Sequence, residues 1–183
     1  MKTNSQQKLK PFKLDIEGIR KNARKHVEEG AHTASYQGDA SEIIALLNDS
    51  LATELVCVLR YKRHYFTATG IHSKSIAAEF NIHAQEELAH ADLIAERIVQ
   101  LGGEPDFSPN TLLSRSHADY SACLELKDMI KENLVAERIA IDTYHALIRY
   151  IGDDDPTTRI MLEGILAQEE EHADELSDWI SIS

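Results

Sequence analysis

Four long stretches of this 183-residue chain carry apolar side chains at helical spacing, and only one of the connections between them is long. In the first stretch Ile43, Leu47, Leu51, Leu55 and Val58 recur every three or four residues, which lines one face of a helix. Asp39, with Glu42 three residues later, makes a capping box at its start, and Gly70 marks its end. The second begins near Ser73 and runs to Gly102-Gly103. The third lies within about 121–151 and stops at Gly152. The fourth has Asp155 as cap and Pro156 at the first helical position, where a missing N–H costs nothing, and it runs almost to the last residue. A short helix is expected from about Asp15 to Glu29, after a tail at 1–13 and before a loop at 31–38.

The connections fix the architecture. A few residues join the first helix to the second and the third to the fourth, so each pair is antiparallel. The stretch GEPDFSPNTLLSRSHADY between the second and third has two prolines and no clear period. A helix of roughly 28 residues is about 42 Å long. An extended linker of roughly 16 residues reaches about 50 Å, enough to cross the whole bundle. The expected fold is all-α: a four-helix bundle with one long crossover over residues 39–183, preceded by a basic tail and short helix over 1–38.

Composition agrees and narrows the function classes. Only eight glycines and four prolines interrupt a chain that is 43% hydrophobic, which favours helix. No run approaches the ~18 apolar residues of a membrane span, and MKTNSQQKLK lacks the apolar core of a secretory signal, so a cytoplasmic protein without membrane partners is expected. Cys57 and Cys123 are too few for a disulfide framework. The net charge of −12 is uneven: residues 1–25 carry +6 and the rest −18. An acidic body attracts cations, and the arm with Lys8, Lys10 and Lys13 has the charge to touch nucleic-acid phosphates.

Two six-residue stretches, ELAHAD at 87–92 and EEEHAD at 169–174, share the pattern Glu-x-x-His-Ala-Asp. Alone they mean little, since 18 glutamates and nine histidines placed at random give about one Glu-x-x-His. Glu29 to His32 is such a chance copy, broken by a glycine, and Asp142 with His145 is a similar decoy. Context separates the other two. Glu54 lies 33 residues before Glu87, and Glu137 lies 32 before Glu169. Each is followed seven residues later by a tyrosine, Tyr61 or Tyr144, on nearly the same helix face. The unit Glu-(x6)-Tyr … Glu-x-x-His-Ala-Asp thus occurs twice, once per helical hairpin. A pseudo-twofold would bring Glu54, Glu87, His90, Glu137, Glu169 and His172 together in the core.

That face is otherwise apolar, and an ionised carboxylate there must be neutralised, paired or metal-bound. Four carboxylates and two imidazoles balance two divalent cations, and a donor set without thiolate suits iron or manganese. Ferritin-like di-metal bundles are already known to be built in this way, with a glutamate from each of two helices and a Glu-x-x-His from each of the other two. Tyr61 and Tyr144 are either core residues with satisfied hydroxyls or donors to the ligand carboxylates. Cys57, one turn beyond Glu54, reads best as a small buried hydrophobe. Glu86 could pair with His90, but the second copy has Gln168 at that place. Glu170 and Glu171 point to solvent. His83 and Glu86 could hold a transit ion, although such residues are more often exposed.

On these residues the chain resembles the ferritin superfamily over about 39–180, and bacterioferritin and the Dps-like ferritins with a bacterioferritin-type centre most of all. The resemblance implies two iron ions per subunit, with manganese the other candidate, held by Glu54, Glu87, His90, Glu137, Glu169 and His172, and Tyr61 beside them. It implies ferroxidase chemistry with O2 or H2O2, storage of ferric iron in a homo-oligomeric shell, and a role in oxidative stress. Bacterioferritin's haem-ligating methionine would follow Glu87 directly. Leu88 stands there, so haem is not expected. Only eleven residues follow His172, which favours a twelve-subunit shell over one of 24. The alternatives are a di-iron oxidase or peroxidase on an organic substrate, a Dps-like DNA-protecting protein, and a metal-free bundle.

Overall fold

Helix-favouring sequence between strong caps yields helices close to the expected limits. The computed structural model describes residues 12–70 and 73–182, and these contain no strand. The elements are α1 (Ile16–Asn22), a 3-10 turn (Val27–Glu29), α2 (Ala40–Thr67), α3 (Ser73–Gln100), α4 (Leu112–Arg115), α5 (Leu126–Ile151) and α6 (Pro156–Ile182). No helix among the described residues is long and apolar enough to cross a membrane. Two compact units result, one ending at Ser35 and the other starting at Tyr36. Most of the basic arm, with Lys8 and Lys10, lies outside the described residues.

In the first unit, the Asp15 carboxylate caps α1 by accepting from Gly18 N at 3.0 Å. The helix expected to reach Glu29 stops at Asn22. None of its residues is buried, and a short helix without a packed face does not propagate. His26 then takes a left-handed φ of 49°, which breaks the helical path.

In the second unit, Asp39 accepts from Glu42 N at 3.1 Å and starts α2. Helix α2 ends at Thr67, three residues ahead of Gly70, where the backbone turns extended at Ala68. After α3, Gly102 adopts φ +84°. Gly103 lies so close to Ile44 that a Cβ there would meet its side chain at 2.7 Å. The crossover contains a single helical turn, α4, that its lack of period hides. Side chains of α2 hold it: Asn48 accepts from Asp106 N at 2.7 Å, Arg60 donates to Asp119 O at 3.0 Å and Arg63 to Cys123 O at 2.8 Å. These bonds satisfy loop backbone groups that have no ladder partner.

Helix α2 packs on α3 and α5 on α6, and α2 also meets α5 as α3 meets α6. The core is split in two. One apolar cluster gathers Leu47, Leu51, Ile94, Ile98, Leu162 and Ile165. The other gathers Cys57, Ile76, Phe80, Met129, Ile130 and Leu176. Between them along every long helix sits a polar layer: Glu54 between Leu51 and Cys57, Glu87 between Ala84 and Ala91, Glu137 between Ala136 and Ala140, and Glu169 between Leu166 and Leu176.

Candidate metal centre

Each of the four long helices contributes to that layer. Glu54 comes from α2, Glu87 and His90 from α3, Glu137 from α5, Glu169 and His172 from α6. All six are buried. Three-residue spacing puts each histidine over its glutamate on one helix face. His90 Nδ1 comes to 3.0 Å of Glu169 Oε1 and 3.4 Å of both Glu54 Oε2 and Glu87 Oε2. His172 Nδ1 lies 3.6 Å from Glu87 Oε1, 3.8 Å from Glu169 Oε2 and 3.9 Å from Glu137 Oε2.

Two overlapping groups result. Glu54, Glu87, His90 and Glu169 each offer a donor atom within 4.8 Å of the others, and so do Glu87, Glu137, Glu169 and His172. Glu87 and Glu169 belong to both groups.

The atoms that face one another are orphans. Glu54 Oε2, Glu87 Oε1, His90 Nδ1, Glu137 Oε2, both oxygens of Glu169 and His172 Nδ1 are buried without a hydrogen-bond partner. Native proteins rarely leave such atoms unmatched. All are acceptors or become so on deprotonation, and the partner that satisfies acceptors on every side is a cation. The residues therefore fit a pair of metal ions.

The outward-facing atoms, by contrast, are satisfied, and crosswise. Tyr61 on α2 donates to Glu137 Oε1 on α5, and Tyr144 on α5 donates to Glu54 Oε1 on α2, both in very short bonds. His90 Nε2 bonds Gln168 at 2.9 Å, and His172 Nε2 bonds Glu86 at 2.9 Å. Each hairpin's tyrosine and outer polar residue thus serves the other hairpin. With Nε2 bound to an acceptor, Nδ1 faces the layer and, once deprotonated, offers its lone pair there, as a metal requires.

The charges show the same strain. Burial and the neighbouring Glu87 charge push Glu54 up to about 8. Burial and the charges of Glu87, Glu54 and Glu137 drive Glu169 well above the carboxylate range. Burial opposes the ionisation of Glu87 too, but His172 and His90 hold it below that range. Burial likewise opposes the imidazolium charge, yet Glu137 and Glu87 bring His172 up to about 10, and Glu169, Glu54 and Glu87 raise His90 further. Without metal the layer neutralises itself with protons, which divalent ions must displace.

Two neighbours stand out against their sequence reading. His83, expected at the surface, is 1% exposed; it lies 3.2 Å from the Tyr61 hydroxyl and stacks on His172 with ring centroids 4.1 Å apart. Arg60, unremarked in sequence, is wholly buried, with Nε on Asn133 Oδ1 at 2.8 Å and Nη2 on Cys57 Sγ at 3.5 Å. Its position beside Cys57 and Tyr61 on the inward stripe is the signal that would have found it. Glu170 and Glu171 are exposed, and Cys57 is buried.

The family profile of the ferritin-like domain matches residues 44–182. The chain belongs to the ferritin-like family. Among relatives of this ferritin-like chain, a bacterioferritin of Mycobacterium leprae is 26% identical over 80% of this chain and 87% of its own. A nutrient stress-induced DNA-binding protein of Synechococcus is 28% identical over 77% of this chain and 82% of its own. Among solved structures, a dodecameric thioferritin related to bacterioferritin, from Bacteroides fragilis, superposes with TM-score 0.77 at 30% identity, over 79% of this chain and 88% of that one. The ferritin-like chain is thus a member of an iron-storage family, and its carboxylate and histidine groups are candidate metal sites.

Proposed function

We propose that the protein is a ferroxidase that takes up Fe(II), oxidises it at a paired site and stores the ferric product inside a shell of twelve like subunits. The observation that carries this is the layer of orphaned donor atoms: six buried side chains whose unmatched atoms face one another, with the outer atoms of Glu54, Glu137, His90 and His172 held by hydrogen bonds. Glu54, Glu87, His90 and Glu169 take one ion. Glu87, Glu137, Glu169 and His172 take the other. Four carboxylate charges balance two Fe(II) ions, so the substrate is neutralised in a dry pocket, and the same donors accept manganese.

Oxidation removes one electron from each iron. Dioxygen accepts the two electrons with two protons and leaves as hydrogen peroxide. Alternatively, hydrogen peroxide accepts two electrons and two protons and leaves as two waters. The protein's part is geometric and electrostatic. Tyr61 and Tyr144 fix Glu137 and Glu54, while Gln168 and Glu86 hold the histidine rings with Nδ1 inward. Positioning donors before the substrate arrives removes the cost of ordering them later. The twelve-subunit assembly is supported by the dodecameric relative at 30% identity.

Anaerobic Fe(II) titration tests the centre. Wild type is expected to bind at least two ions per chain at high affinity, and Glu137→Ala to lose that pair. Binding of fewer than two by wild type, or no loss in the variant, overturns the reading. Native mass with bound-metal analysis tests the shell, and hundreds of iron ions per assembly separate storage from a di-iron enzyme that holds only its pair.

A further inference from the structure

A shift of 83 residues from α2 to α5 carries Glu54 onto Glu137 and Tyr61 onto Tyr144. The same shift shows where the halves differ. Cys57, Arg60 and His64 lie near Tyr61 on α2, and their counterparts near Tyr144 are Ala140, Thr143 and Leu147. Asn133 on α5 answers to Ser50 on α2. Arg60 alone among the described lysines and arginines is buried. One half thus encloses a cation where the other has a threonine, so the bundle can be built without it.

A buried charge is ordinarily paired. Among the described residues no carboxylate pairs with this one. Its Nε donates to Asn133 Oδ1 at 2.8 Å, Nη1 to Asp119 O at 3.0 Å and Nη2 to Cys57 Sγ at 3.5 Å, and its Cζ stands 5.8 Å from the Tyr61 ring centroid. All four partners are neutral. Burial keeps the Cys57 thiol protonated against the pull of Arg60. Burial, with the charges of Glu137 and Glu87, keeps the Tyr61 hydroxyl protonated as well. Burial and the Arg60 charge also lower the nearby His64 to about 4, so that ring is neutral at pH 7.

The remaining countercharge is the layer itself. Tyr61 stands between Arg60 and the Glu137 carboxylate that its hydroxyl bonds. Burial opposes the guanidinium charge, while Glu137 and Glu87 are among the groups that favour it. With two Fe(II) ions bound, the four carboxylates are matched, and Arg60 becomes an uncancelled positive charge in a weakly screened interior. Loss of one electron from each iron adds two more. Clamping the crossover does not call for such a charge, since the partly buried Asn48 and Arg63 do that from the same helix.

We propose that Arg60 drives oxidised iron out of the paired site: its fixed charge penalises Fe(III) more than Fe(II), so the ferric product leaves for storage and the donors are free for the next Fe(II). Arg60 acts through its charge and not as a ligand. The two electrons go to O2 or H2O2, so the role needs no further redox partner. It rests on the reading of the centre as a ferroxidase, and it explains how one set of donors can serve many ions in turn.

The reduction potential of full-length protein loaded with two irons per chain, poised anaerobically with mediators and followed by ferric absorption, tests it. Arg60→Gln removes the charge and keeps an amide donor. It is expected to raise the preference for Fe(III) over Fe(II) roughly tenfold, a fall of about 59 mV per one-electron step. Asn133→Asp leaves Arg60 in place but gives it a carboxylate partner, which a guanidinium holds ionised, and the potential should fall in the same direction. Arg60→Lys retains the charge and should keep the wild-type potential, which a purely structural role would not predict. Metal-free melting curves report folding, and if Arg60→Gln does not fold, the nearly isosteric Asn133→Asp decides. An unmoved potential in a folded charge-cancelling variant, or an equal fall in Arg60→Lys, overturns the proposal. Wild type that binds fewer than two Fe(II) ions overturns the ferroxidase reading and this proposal with it, whereas two bound ions with an unmoved potential overturn this proposal alone.

Discussion

The molecule buries charge in two places and treats it in opposite ways. At the start of α6, Asp155 is 1% exposed and fully matched. Arg97 donates to both of its oxygens, at 2.9 and 3.0 Å, Thr158 N donates at 2.9 Å and Tyr36 at 3.0 Å. In the central layer, four buried glutamates lie together and seven donor atoms there have no partner. A buried charge with all its bonds made holds a fold; buried charges with bonds left open await a ligand.

Five measurements bear on that contrast, from the largest effect to the smallest. Glu169→Ala removes a residue common to both ion positions, so the paired equivalents should vanish from an anaerobic Fe(II) titration. The metal-free variant should be as stable as wild type or more so, since a strained carboxyl is gone. Marked destabilisation of the metal-free protein would place this glutamate with Asp155 as a structural residue.

Asp155→Ala should leave metal binding alone and cost about 3 kcal/mol in urea unfolding, because it strands the Arg97 guanidinium and uncaps α6. The pH dependence should have opposite signs at the two places. Glu54 rises from an ordinary 4.5 to about 8, and His172 from 6.5 to about 10. Both groups hold protons more tightly folded than unfolded. The stability they give is complete below the unfolded values and is lost as pH climbs through about 8 and about 10. Burial pushes Asp155 up, but its bonds from Thr158 and Arg97 hold it below its ordinary value, so its contribution is lost on acidification instead. Melting temperatures of the metal-free protein should fall from pH 6 to 10 and recover with Mn(II). A flat profile would mean that the layer is not strained.

Tyr144→Phe frees Glu54 from its outer anchor and should weaken metal binding roughly tenfold, read by calorimetry, without loss of the fold. Asp39→Ala removes one helix cap outside the central layer and should cost about 1 kcal/mol, with metal affinity unchanged.

Much of the layer is legible in the sequence. Helical period, capping residues and glycine stops place α2, α3, α5 and α6 within a few residues, because local propensity and burial agree there. The repeated Glu and His spacing puts six donors on inward faces, and the six stand in one layer. Helix α1 is shorter than its sequence suggests because none of its residues is buried, and a short helix without a packed face does not propagate. The turn α4 is invisible in sequence because it has no periodic face. His83 is misread as exposed for a similar reason: helical spacing places it beside the inward stripe, but it is the Tyr61, His172 and Trp179 rings of other helices that enclose it.

The sequence by itself therefore determined the bundle and the faces that meet, since periodicity along one helix is a local property of the chain. It did not say which neighbour each side chain would reach. That Tyr61 serves Glu137, that Glu86 serves His172 and that Gln168 serves His90 follow from the crossing of two hairpins. Only the tertiary structure decided these pairings, because they join residues 76 or more positions apart whose approach depends on helix packing and not on spacing.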